Sequence, residues 1–165
     1  MNACVINWGY VTNILVACIS AGIPSIVAYI IYQNWRNQKA SEVVAIEAKN
    51  FIVNLSKLQI LQMEIHKIIY TTGSFDAANK EIEEFKFIEK LLSDSSVFLG
   101  EALTDPIISH KATTVTAQAL CFEIDIEKYQ KGERALNKVE MIDPHDAKVI
   151  SDIYLDYALY RKTIK

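Results

Sequence analysis

The stretch from Tyr10 to Lys39, YVTNILVACISAGIPSIVAYIIYQNWRNQK, carries no charged side chain before Arg36, and Lys39 follows three residues later. Such a run can be a helix that stays in a membrane, a signal removed on export, or the core of a soluble bundle. From Tyr10 to Tyr32, at about 1.5 Å per residue, a helix spans roughly 34 Å, enough to cross a hydrocarbon layer of about 30 Å. Trp8 and Tyr10 flank one end, and Tyr29, Tyr32 and Trp35 the other. Amphipathic rings favour the headgroup level, and Arg36 and Lys39 add cationic anchors there. The stretch is expected to be a transmembrane helix.

A cleaved signal fits less well. Leu15–Cys18 reads LVAC, the pattern at which bacterial lipoprotein signals are cut, but no Lys or Arg precedes the apolar run and an apolar segment would remain after the cut. A secretory signal would need a cationic start and a shorter apolar core. The flanking charge then sets orientation. Arg36, Lys39 and Lys49 follow the span and no cation precedes it, so the bulk of the chain is expected in the cytoplasm, with a short external amino terminus at the inner membrane.

Within the span, Asn13, Ala17, Ser20, Ala21, Pro24 and Ala28 fall on one arc at 100° per residue, while Leu15, Ile19, Ile23, Ile26 and Ile30 cover the other. Lipid supplies no hydrophobic drive for helix pairing, so close approach of small residues and Asn or Ser hydrogen bonds take that role. A homo-oligomer paired through this face is expected.

The rest of the chain has a different chemistry. All 17 Lys and Arg and all 20 Asp and Glu lie at or beyond position 36 of the 165 residues, dividing the sequence into an apolar part, 1–35, and a charged part, 36–165, long enough for a small domain. The net charge of -3 offers no cationic stripe for a phosphate backbone, which argues against nucleic acid as a partner. Cys4, Cys18 and Cys121 form no CxxC pair and no disulfide framework.

The charged part reads as helix throughout. Val44, Ala48, Phe51, Leu55, Leu58, Gln62, Ile65 and Ile69 alternate at four and three residues, a heptad seam. Its helix is expected to run out of the span and to break at Gly73. A second helix is expected from about Asp76 to Leu92, with Ile82, Phe85, Ile88, Leu91 and Leu92 inward. Asp105-Pro106 and Asp143-Pro144 each place a capping carboxylate before a proline in the first turn, starting a third helix, Pro106 to Lys131, and a fourth, Pro144 to about Thr163. Thr113–Thr116, TTVT, weakens the third, because β-branched residues lose rotamer freedom in helices. The fold class is therefore all-α: an N-terminal transmembrane helix continuing into a cytoplasmic bundle of about four helices.

Little catalytic chemistry is visible. His66, His110 and His145 are far apart and none forms the Glu-x-x-His pair of a di-iron bundle, so neither metal nor cofactor is expected. Glu123, Asp125 and Glu127 read as a solvated face, with Asp125 aimed elsewhere. Asp143, His145 and Asp146 read as helix capping. Tyr154, Tyr157 and Tyr160 recur at steps of three, either packed in the core or forming a docking patch.

The segment YIIYQNWRNQK, Tyr29–Lys39, followed by a long amphipathic helix, resembles the membrane junction of small uncharacterised single-pass bacterial proteins. That resemblance covers about 30 residues, implies membrane placement, and brings no activity with it. The expected function is a membrane-anchored interaction or scaffold module, not an enzyme, which self-associates and recruits a cytoplasmic protein. The alternative is a membrane-perturbing effector, a small toxin or defence protein, in which oligomerised spans set Asn13 and Ser20 around a leak path.

Overall fold

The structure, a computed structural model, describes residues 8–162; within that range the side chains at 8, 9, 11, 14, 15, 17–19 and 21 are outside the description. The chain divides into two units, Met1–Ala40 and Ser41–Lys165. The elements, in order, are α1 (Trp8–Thr72), a 3-10 turn (Asp76–Ala78), α2 (Asn79–Leu103), α3 (Pro106–Gln130), a second 3-10 turn (Leu136–Lys138) and α4 (Pro144–Ala158). Among the described residues there is no strand. The protein is all-α.

In the second unit, four helical segments run alternately up and down, as a few contacts establish. Ser95 on α2 donates to Glu47 on α1 at 3.0 Å, so the C-terminal half of α2 lies beside the start of the unit. Lys86, earlier on α2, meets Glu127, late on α3, at 3.1 Å. The Ile142 amide, just before α4, donates to Gln62 at 3.1 Å, while Tyr154 lies edge-on to Phe51 with ring centroids 4.8 Å apart. Each helix is thus antiparallel to the one before it. The connections from α1 to α2 and from α2 to α3 are short enough to demand this arrangement, whereas 131–143 crosses to α4 as a longer irregular segment.

Local chemistry sets most of the ends. Gly73, at φ +66°, closes α1 in the left-handed region that glycine enters without a Cβ clash. Asp105 accepts from the Ile107 and Ile108 amides and Asp143 from the His145 amide, with proline next to each, as the Asp-Pro pairs predict. At the end of α3, Glu133 N–H reaches Lys128 O and Gly132 N–H reaches Tyr129 O, both at 2.9 Å, a Schellman closure around Gly132 at φ +73°.

Two boundaries differ from the sequence reading. Helix α2 does not end at Leu92 but continues through SDSS to Leu103. Ser95 and Ser96 are buried there, bonded to Glu47 and Thr116, so small hydroxyls that would favour a turn in water instead let neighbouring helices approach. Helix α4 stops at Ala158 rather than near Thr163, because Tyr160 turns left-handed at φ +55° and Arg161 N–H returns to Asp156 O at 2.8 Å. TTVT is helical after all: Thr113, Thr114 and Thr116 each donate to the carbonyl four residues back. Leu91, expected inward, is exposed.

The core is built on the heptad seam. Val44, Ala48, Phe51, Leu55, Leu58, Ile65 and Ile69 are buried among Ile82, Phe85, Leu92, Phe122, Ile126, Ile150 and Tyr154. Gln62 shares this burial because its side-chain oxygen is occupied by the Ile142 amide.

Candidate interaction surfaces

The opening stretch presents uncharged surface. Tyr10, Ile23, Ile26, Val27, Tyr29, Ile30, Ile31, Tyr32 and Trp35 are all exposed. Gln33 donates to the Tyr29 hydroxyl at 3.0 Å, and the Tyr32 and Trp35 rings are 6.5 Å apart, so aromatic and amide groups cluster just before Arg36. Asn13, Ser20, Pro24 and Ala28 are exposed; Ala17, Ala21 and Trp8 lie outside the residues whose side chains are described. Among the described residues no helix is long and apolar enough to cross a membrane. The side chains of Val11, Ile14, Leu15, Ala17, Cys18, Ile19 and Ala21 are outside the description, and the uncharged run to Arg36 is a property of the sequence.

The heptad seam, by contrast, is occupied within the chain. Its apolar members face α2, α3 and α4, and a coiled coil between copies would have to unpack the core to use them. The three tyrosines do not form one patch. Tyr154 is fully buried against Phe51, Tyr157 is half-buried and Tyr160 is exposed at the left-handed end of α4. Burial, then the neighbouring Tyr157, pushes the Tyr154 phenol well above its ordinary range, and its hydroxyl has no hydrogen-bond partner among the described residues.

The acids of CFEIDIEK divide sharply. Asp125 is not solvated: it is buried, paired with the Arg134 guanidinium, and accepts the Glu140 amide at 3.2 Å. Arg134 in turn donates to Lys138 O at 2.8 Å. Glu127 and Glu123 face Lys86 at 3.1 and 3.9 Å. The hydrogen bond to Glu127 raises the Lys86 pKa against its partial desolvation, while desolvation raises those of Glu123 and Glu89. These are ion pairs of a helix interface. No group of three metal-ligating side chains occurs among the described residues.

Sequence reasoning missed how the segment between α3 and α4 is held. Asp125 grips it through Arg134 and Glu140, Gln62 takes the Ile142 amide, and Gln118 accepts the Asp143 amide while donating to Asp146, both at 3.0 Å. Gln62 was the available signal, a polar residue in an apolar seam. Open grooves lie on either side of this segment and share Met141: one of about 530 Å³ includes Met63, His66 and Tyr70, the other, of about 520 Å³, includes His110, Gln118 and Cys121. A third, of about 500 Å³, lies between α1 and α2 and is walled by Val43, Asn50, Leu91 and Phe98. The groove that holds the Cys121 thiol and the His110 imidazole does not bring them together, since eleven residues of α3 set them about 16 Å apart along its axis. What the arrangement offers is surface for binding. Comparison with known protein families, curated proteins and solved structures finds no match.

Proposed function

We propose that the protein is a membrane-anchored helical interaction module, held at the bacterial inner membrane by the opening stretch, self-associating, and presenting its Ser41–Lys165 bundle to a protein partner in the cytoplasm. One observation carries the reading: a run without charge to Arg36 lies on a helix whose described apolar side chains, Ile23 to Ile31, are exposed rather than packed in a core. In water that surface is a liability; in a bilayer it is the ordinary lipid-facing condition. Aromatic residues at the bounds of the run and cations at Arg36, Lys39 and Lys49 support the same placement and orientation.

The bundle supports the second half of the reading. It has its own core, Lys86 and Glu127 pair across α2 and α3, and Asp125 and Arg134 fasten the segment that follows α3. Placement of a binding surface is the function that such a frame serves best. The test is fractionation of the full-length chain. It is expected in the membrane pellet, resistant to high salt and alkaline carbonate and released by mild detergent, with a partner retained on affinity capture. Recovery in the detergent-free supernatant refutes the reading.

A further inference from the structure

We propose that two copies of this chain meet through the outer face of α1 and α2, with their bundles side by side about a two-fold axis parallel to the helices. The inference deepens the self-association reading by naming its surface; the parallel sense rests on a shared membrane anchor, and the surface itself on the Ser41–Lys165 unit alone.

A second heptad lies on α1, out of phase with the core seam. Val43, Ile46, Asn50, Val53, Lys57, Ile60 and Glu64 alternate at three and four residues and are all exposed. On α2, Lys80, Glu84, Phe87, Leu91, Asp94 and Phe98 alternate at four and three and are exposed as well. Core packing accounts for neither stripe. Phe87 is 63 % exposed and Ile60 57 %, on adjacent helices. Sustained heptad spacing is the geometry that receives another helix, rather than an irregular surface.

The charges identify that other helix. Ser95 bonded to Glu47 fixes the level of α2 against α1, and each step up α1 is a step back along α2. Lys57 is then level with Glu84, Glu64 with Lys80, and Asn50 with Asp94. None of the five charged side chains is in an ion pair within the chain among the described residues. A two-fold axis along the bundle lays α1 of one copy on α2 of the other at the same levels. Lys57 then meets the other copy's Glu84, Glu64 its Lys80, and the Asn50 amide its Asp94 carboxylate. Phe98 comes beside Val43 and Ile46, and Phe87 beside Val53. An axis perpendicular to the helices would break these pairings and send the two Ser41 ends to opposite sides.

Area is sufficient. The seven large apolar side chains leave on the order of 600 Å² uncovered, and the polar residues between them bring the face to the roughly 800 Å² per partner typical of a stable interface. Asn50 and Lys57, polar within an apolar stripe, are the kind of residue that fixes register and copy number at some cost in affinity.

The test uses the full-length chain in mild detergent, with mass measured by light scattering. Lys57→Glu and Glu84→Lys alter exposed positions, so helix content by circular dichroism stays at the wild-type value. Each variant alone sets like charges against each other twice per pair and is expected to weaken association about tenfold or more. An equimolar mixture restores both attractions between unlike copies, so a tag on one variant captures the other. Variants that pair as wild type does, or a mixture that fails to recover, overturn the proposal. Association insensitive to both variants but lost in Ser20→Leu places pairing in the opening stretch instead. A monomeric wild-type chain removes the self-association reading together with this surface.

Discussion

Replacing Tyr154 with Phe should stabilise the protein. The ring is fully buried and packs edge-on against Phe51 at 4.8 Å, a geometry that Phe reproduces without its hydroxyl. That hydroxyl is buried with no partner among the described residues. Leaving such a group unpaired costs about 1–3 kcal/mol, while deleting one oxygen opens only a small void. A net gain of about 1 kcal/mol is expected, or about 3–5 °C in Tm for a bundle of this size. Tyr154→Ala, which removes the ring, should instead cost about 3–5 kcal/mol. Urea and thermal unfolding of the full-length chain in mild detergent, followed by circular dichroism, read both variants. Ultraviolet titration adds an independent check: with its pKa raised by burial, the Tyr154 phenol should stay silent through the range in which exposed tyrosines ionise. A loss of 1 kcal/mol or more in Tyr154→Phe would mean that the hydroxyl is bonded, and the reasoning fails.

Three further outcomes are expected. Tyr160→Gly should raise stability by about 0.5–1 kcal/mol in urea melts, since Gly occupies the left-handed closure of α4 without a Cβ clash; an unchanged or lower midpoint would place Tyr160 in packing of its own. Arg134→Ala strips the cation from buried Asp125 and should cost about 3 kcal/mol, with faster amide exchange in 133–143 than in α2; uniform exchange across the unit would argue against a local clasp. Glu89→Gln removes a carboxylate whose pKa is raised by desolvation. A raised carboxylate pKa means that the folded state binds the proton more tightly, so ionisation costs stability above the folded pKa and the cost vanishes below the unfolded value. The variant should therefore be more stable at neutral pH, by up to about 0.5 kcal/mol, and match the parent below about pH 4; a difference that grows on acidification contradicts the sign.

The parts of the fold legible in the sequence are those where one local rule governs. Val44 through Ile69 alternate at four and three residues and are buried; Asp105 and Asp143 precede prolines and cap helices. Where a distant partner decides, the local reading fails. Ser95 and Ser96 favour a turn until Glu47 and Thr116 supply bonds, and nothing near Tyr160 announces a left-handed tyrosine. Asp125 looked solvated because its partner, Arg134, lies beyond the glycine that ends α3. The tyrosine series split because a step of three turns Tyr157 about 60° away from buried Tyr154 on α4, and Tyr160 lies past the end of that helix in the left-handed region. The outer stripe of α1 is present in the sequence at Val43, Ile46, Val53 and Ile60, but Asn50 and Lys57 interrupt it, so its apolar periodicity is weaker than that of the core seam on the same helix.

The clasp between α3 and α4 also orders events in time. Gln62 waits eighty residues for the Ile142 amide, so the irregular segment cannot fasten until Ile142 has left the ribosome. Until then α1, α2 and α3 must hold together with one flank bare, and Phe51 has no Tyr154 to cover it. A chain stalled short of Ile142 therefore leaves that flank of the core uncovered and open to proteases and chaperones.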